Sequence, residues 1–184
     1  LKPDSKGNIS LEDLKRCTTN KTKIIALPHI TNSIGSILPI EEICSYARQK
    51  GIITLVDGCQ AAPHIEIDLT KMQPDFYVLS GHKVYGPSGI GVLYGKQEWL
   101  EKLNPYQTGG EMIDYVSIHK ATFADIPNKF EAGTPNIVGA ISLSSAINFI
   151  EDIGINNITE HSRFLTKTLC ERFRELNFIK IIGD

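Results

Sequence analysis

Short apolar runs without polar alternation recur along this chain, and amphipathic stretches separate them. Ile24-Ile25-Ala26-Leu27 reads as a buried strand. Pro39 to Lys50 reads as a helix, because Ile40, Ile43, Cys44 and Ala47 recur at i, i+3, i+4 and i+7. Pro39 suits the first turn, Glu41 and Glu42 favour the positive end, Arg48 and Lys50 favour the other, and Gly51 can take the left-handed stop. Ile52 to Val56, Phe76 to Leu79 and Gly91 to Tyr94 are three further strands without alternation. Continuous apolar strands fit a sheet covered by helices on both faces, so the expected class is α/β with a mainly parallel central sheet.

The second half changes character. Asn136 is placed to cap a helix running to about Asp152, and Thr159 to cap another whose Leu165, Leu169, Phe173 and Leu176 form an apolar stripe. Phe178 to Ile182 then looks like the first strand of a new unit. Between the halves, Asn104 to Asn136 is rich in Gly, Pro and Thr with little periodicity, a loop long enough to point to function.

The 184 residues are 41% hydrophobic, 22% charged and 8% aromatic, the composition of a globular chain with a real core, which excludes disorder, collagen and coiled coil. Nineteen Lys and Arg against 21 Asp and Glu give a formal charge of -2 with no basic stripe, so nucleic acid is not the expected partner. No apolar run approaches the ~20 residues of a membrane span, and none is expected. Cys17, Cys44, Cys59 and Cys170 are scattered, without metal-ligand spacing, so no metal is expected and a reducing compartment is. The start at Leu1, without an initiator Met or a signal peptide's apolar segment, points to a piece of a longer protein.

In parallel sheets ligands sit beyond the carboxyl ends of strands, which directs attention to Pro28 to Gly35, Asp57 to Ala61 and Ser80 to Gly89. Asp57 directly follows an apolar strand; by itself, an Asp-Gly pair there is explained by turn chemistry alone. Ser80-Gly81-His82-Lys83 follows the next strand and leads into Tyr85-Gly86-Pro87-Ser88-Gly89-Ile90-Gly91. A lysine among small residues suits Schiff-base chemistry, with Ser80, His82 and backbone N–H groups available to a phosphate. The alternative is a glycine-rich turn with a solvated lysine. Taken together, a carboxylate one strand away from such a lysine matches the needs of pyridoxal phosphate: an amine to hold the aldehyde, and an Asp to keep the pyridine nitrogen protonated.

Several long stretches in register resemble the class V aminotransferase family, and more narrowly the SufS-type (group II) cysteine desulfurases. They are Val56 to Ala61, Asp75 to Gly91 and Phe130 to Asn136, with Pro28 to Gly35 and Gly109 to Ile113 fitting in the same order. The resemblance covers essentially the whole chain. It implies the type I fold of pyridoxal-phosphate-dependent transferases, with residues 1–135 as part of the large cofactor-binding domain and 136–184 as the connecting helix and beginning of a small C-terminal α+β domain.

The resemblance further implies Lys83 as the cofactor-bearing, catalytic lysine, Asp57 as the partner of the pyridine nitrogen, and Gln60 as donor to the phenolic oxygen. Ser80 and His82 would bind the phosphate, Thr134 the phosphate of a neighbouring subunit in a homodimer, and Asn32 would face the ring oxygen and the substrate carboxylate. Cys59 stands where the family commonly has Ala, and would pack on one face of the ring as a small hydrophobe. It is not expected to be the nucleophile, since none of the four cysteines matches the family's persulfide-forming cysteine. The residues matching that cysteine, the ring-stacking histidine and the substrate-carboxylate arginine lie outside this chain. Cys44 and Cys170, on apolar helix faces, are expected in the core, while His29 could orient its loop.

The activity so implied is conversion of L-cysteine to L-alanine, with sulfur passed as a persulfide to an acceptor protein for iron–sulfur cluster assembly. Alternatives are a selenocysteine lyase or another class V enzyme and, for these 184 residues alone, a noncatalytic fragment. A cytoplasmic location is expected, with an organelle of endosymbiotic origin also open.

Overall fold

The computed structural model describes residues 1–4 and 6–183. Its elements are α1 (Leu11–Cys17), β1 (Ile24–Pro28), α2 (Ile40–Gln49), β2 (Ile53–Asp57), α3 (Leu69–Met72), β3 (Phe76–Ser80), β4 (Gly91–Gly95), α4 (Gln97–Lys102), β5 (Ile113–Val116), β6 (Ala121–Phe123), α5 (Ile137–Ile153) and α6 (Ile155–Arg174). The four apolar runs pair in the order β1-β2-β3-β4. β1, β2 and β3 are parallel, and β4 runs antiparallel to β3, from Ser80↔Gly91 to Phe76↔Gly95. That reversal follows from length. A parallel crossover needs about a dozen residues or more, and residues 81–90 hold only one 3-10 turn, Gly81–Lys83. This loop therefore leaves and re-enters the sheet at the end where β1 and β2 also finish.

α2 turns the face set by its periodicity inward. Ile40, Ile43, Cys44 and Ala47 are buried and pack with Ile25, Leu27, Val56 and Tyr77 from the sheet. Burying side chains the size of Ile40 and Ile43 is worth roughly 1.5–3 kcal/mol each. Gly51 has φ +65°, the left-handed stop expected of it. α1 has no counterpart among the pattern-derived elements. A capping box starts it, with the Ser10 hydroxyl accepting from the Asp13 N–H and the Asp13 carboxylate accepting from the Ser10 N–H.

Cover of the sheet is uneven: Val92 and Leu93 on β4 are exposed, unlike the two-sided burial expected of a central strand. A polar clamp fixes β3 against its neighbours. Asp75, directly before β3, accepts from the Thr54 N–H (2.8 Å) and hydroxyl (3.1 Å), from Lys96 Nζ (2.8 Å) and from Trp99 Nε1 (3.1 Å).

The stretch between the halves is not an unstructured loop. β5 and β6 form a hairpin, closed by the Ser117 N–H donating to the Lys120 carbonyl at 2.7 Å. Its strands are too short and too exposed to show a burial pattern.

Asn136 does cap α5, accepting from the Gly139 N–H. Thr159, by contrast, caps nothing: Gly154, at φ +84°, ends α5 and starts α6 with a 73° bend, leaving Thr159 inside α6. Its hydroxyl donates to the carbonyls of His64 (2.6 Å) and Ile155 (2.9 Å). The expected stripe on α6 faces outward, with Leu165 and Leu169 exposed. Among the described residues, 178–182 form no strand, for no neighbouring strand is there to pair with them. No single described helix is long and apolar enough to cross a membrane.

Candidate active site

Three chain segments meet at the carboxyl ends of the parallel strands. Asp57 closes β2 with its side chain exposed, and one carboxylate oxygen accepts from the Cys59 N–H at 2.9 Å. Two backbone bonds hold this corner: the His29 N–H donates to the Asp57 carbonyl and the Gly58 N–H to the Val78 carbonyl, both at 2.8 Å. Past β1, Asn32 sits beside Gln60, whose amide donates to the Asn32 side-chain oxygen. At the end of β3 the Ser80 hydroxyl donates to the Cys59 sulfur at 3.0 Å. Asp57, Cys59 and Ser80 thus form one surface, with Asn32 and Gln60 a second linked pair beside Cys59.

Lys83 ends the 3-10 turn that follows Ser80. It is half-buried and takes part in no ion pair among the described residues, and the preceding His82 is exposed. The loop folds back on itself: the Gly81 carbonyl accepts from the N–H groups of Val84 (3.0 Å) and Gly86 (2.9 Å), while the Gly81 N–H donates to Ile90 (2.8 Å). Those three N–H groups are therefore not free for an anion. The glycines are required at close approaches. A Cβ on Gly91 would stand 2.7 Å from the Leu79 carbonyl oxygen, and one on Gly86 2.9 Å from that of Gly81. Tyr85 adopts φ +62°, a conformation costing on the order of 1–3 kcal/mol in a non-glycine residue. α5 supports the loop from outside, with Phe149 edge-on to Tyr85 at 5.7 Å and the Asn136 amide donating to the Gly89 carbonyl at 3.3 Å.

Thr134 is placed elsewhere. It is exposed and lines a cavity of about 370 Å³ with Glu111, Asn128 and Glu131, a lining that includes neither Asp57 nor Lys83. A cavity of about 820 Å³ opens between α1, α2 and α3, and among the residues near the sheet's carboxyl ends His29 lines it. Among the described residues no group of three or more His, Cys, Asp or Glu could hold a metal ion. All four cysteines are free. Cys44 is buried as expected, and burial pushes its thiol up into the inert range. Cys170 is only half-buried, because α6 turns much of its apolar side outward.

Tyr77 is not set apart by the apolar pattern of β3. It is buried on β3, its hydroxyl shares a hydrogen bond with His29 Nδ1 at 3.0 Å, and its ring fills the space a Gly58 side chain would occupy. Burial, and then the nearby Asp57 and Cys59, push its hydroxyl far up, so it stays neutral. Burial lowers the pKa of His29, which favours the neutral imidazole. A tyrosine inside an apolar strand gives no signal of such a role in sequence. The available cue was Gly58 itself, a glycine at a strand end.

The donor set fits pyridoxal phosphate. An exposed carboxylate with one oxygen left without a partner among the described residues suits a protonated pyridine nitrogen. An unpaired lysine amine suits an aldehyde, and a hydroxyl with an exposed imidazole suits a phosphate.

The sequence model of the family described as Aminotransferase class-V matches residues 1–184. The chain is 47% identical over 177 residues to a probable cysteine desulfurase of Halalkalibacterium halodurans, covering 96% of this chain and 44% of that protein. It is 48% identical over 177 residues to a probable cysteine desulfurase of Staphylococcus aureus, with 96% and 43% covered. Among solved structures, it is similar to the apo cysteine desulfurase of Thermococcus onnurineus, with a TM-score of 0.90 and 38% identity over 96% of this chain and 44% of that one. It is likewise similar to the cysteine desulfurase CsdA of Escherichia coli, with a TM-score of 0.87, 37% identity and the same coverage. The chain thus spans less than half the length of these relatives.

Proposed function

The chain belongs to the class-V aminotransferase family, and on that premise we propose that the protein carrying it is a pyridoxal-phosphate-dependent cysteine desulfurase. It converts L-cysteine to L-alanine and passes the sulfur, as a persulfide on one of its cysteines, to an acceptor protein for iron–sulfur cluster assembly. The supporting observation is the placement of Asp57 and of the loop bearing Lys83 at the carboxyl ends of the neighbouring strands β2 and β3. The relatives named as probable cysteine desulfurases point the same way.

The chemistry supplied by the bound cofactor is withdrawal of electrons from the substrate α-carbon. Asp57 would hold the proton on the ring nitrogen, and the Cys59 N–H on its other oxygen keeps the carboxylate turned. The Lys83 amine would hold the cofactor's aldehyde and would move a proton at the substrate α-carbon as general base and acid. Ser80 and His82 would hold the phosphate, Gln60 would donate to the phenolic oxygen, Asn32 would face that oxygen and the substrate carboxylate, and Cys59 would lie against the ring. Exposed Thr134, in a cavity without Asp57 or Lys83, supports a homodimer in which it serves the phosphate of the partner subunit's site. Four free cysteines support a reducing compartment, the cytosol or an organelle of endosymbiotic origin.

The test is alanine formation from L-cysteine by the full-length protein loaded with pyridoxal phosphate. Wild type is expected to form alanine, and Lys83→Ala and Asp57→Ala to lose at least about 10²-fold of that rate, the size of a general acid–base contribution. Undiminished turnover by either variant would remove that residue from its role. Turnover of selenocysteine without alanine from cysteine would favour a selenocysteine lyase.

A further inference from the structure

His29 lies just past the end of β1 and Tyr77 within β3, with β2 between them. Their side chains nonetheless meet, His29 Nδ1 to the Tyr77 hydroxyl at 3.0 Å, with the rings edge-on at 89°. Both are buried, at 6% and 3% exposure, although each carries a polar atom that burial alone would disfavour. The bond between them satisfies the Tyr77 hydroxyl and His29 Nδ1.

Its location gives it a further consequence. A Cβ on Gly58 would overlap the Tyr77 ring and hydroxyl, so the bonded pair packs directly against the backbone that follows Asp57. The His29 N–H holds the Asp57 carbonyl at 2.8 Å, and the carbonyl of Val78, next to Tyr77, holds the Gly58 N–H at 2.8 Å. Each partner thus fastens one side of the Asp57–Gly58 corner through its own strand, and the side-chain bond ties those two strands together beneath it. A turn cap would need no such strap, but a carboxylate that must meet a ring nitrogen at a fixed height does.

We propose that His29 and Tyr77 are positioning residues for Asp57, a buried strap across β2 that fixes the corner from which the carboxylate reaches the cofactor. The inference rests on the reading of Asp57 as the ring-nitrogen partner. Both act through the backbone they hold.

The test uses the full-length protein, with two readouts besides turnover: the dissociation constant for pyridoxal phosphate added to apo-protein, and the pH midpoint at which the bound cofactor's absorbance changes. Asp57→Asn is expected to move both. Tyr77→Phe keeps the ring against Gly58 and removes only the oxygen. It is expected to weaken cofactor binding about five- to tenfold, the size of one buried hydrogen bond, and to move the midpoint in the same direction as Asp57→Asn. In the Asp57→Asn background, Tyr77→Phe should move the midpoint no further.

Should Tyr77→Phe fail to fold, His29→Asn and His29→Ala carry the same test, with Asn, which retains a polar group near the place of Nδ1, closer to wild type. Unchanged affinity and midpoint in Tyr77→Phe, with Asp57→Asn altered, would overturn the strap and leave the functional reading standing. A lowered melting temperature without change in either readout would reduce the pair to packing and also overturn it. No effect of Asp57→Asn itself would remove the reading on which the strap depends.

Discussion

Replacing Asp75 by Ala removes the acceptor of four hydrogen bonds: two from Thr54, one from Lys96 and one from Trp99. The ion pair with Lys96 is 2.8 Å long, with side chains only 14% and 27% exposed for Asp75 and Lys96. Breaking a buried pair by deleting one partner costs about 3–5 kcal/mol, and a stranded buried donor about 1–3 kcal/mol. Lys96 can still turn partly to water, but Thr54 is 2% exposed and cannot. We therefore expect a loss of about 3–4 kcal/mol for Asp75→Ala, and about 1–2 kcal/mol for Asp75→Asn, which keeps an oxygen for Thr54. At the length of its relatives, more than twice that of this chain, that is a melting temperature lower by about 3–5 °C for Ala. The assay is thermal unfolding of the full-length protein, together with hydrogen exchange at the Thr54 amide, which should lose protection selectively. A melting temperature within about a degree of wild type, or Asn no better than Ala, would refute the clamp.

The clamp also has a pH signature. Burial acts to raise the Asp75 pKa, but Lys96, Thr54 and Trp99 together outweigh it, and the net shift is downward. Its stabilisation is therefore complete above the ordinary carboxylate value and is lost as pH falls through the lower folded one. His29 has the same sign for a different reason. Burial lowers its pKa, so stability should fall as pH drops below about 6.5, where the unfolded imidazole takes up its proton first. His29→Asn should flatten that part of the stability profile, and an unchanged slope would contradict the buried neutral imidazole. Gly58→Ala should cost about 1–3 kcal/mol through overlap with Tyr77. Wild-type melting temperature and cofactor affinity in that variant would show that the corner has room.

What was legible in the sequence divides along physical lines. The strands β1 to β3 and helix α2 are recoverable because burial imposes a period, and Ile40, Ile43, Cys44 and Ala47 carry it. The direction of β4 was not in its pattern, since parallel and antiparallel apolar strands look alike. It lay instead in the shortness of residues 81–90. Thr159 shows the limit of capping rules: a side chain able to cap is also able to bond back within a helix, and Gly154 three-dimensionally decides which. The hairpin of β5 and β6 and the strap of His29 and Tyr77 were hidden for a common reason. Both depend on partners distant in sequence or on exposed strands, and neither leaves a periodic trace.

The central claim is that Lys83 carries the cofactor. Reductive trapping with borohydride on the cofactor-loaded full-length protein, followed by peptide mass mapping, reads this directly. The account predicts a pyridoxyl group on the peptide bearing Lys83, and its loss from that peptide in Lys83→Ala. A pyridoxyl group on another lysine, with Lys83 unmodified, would contradict it.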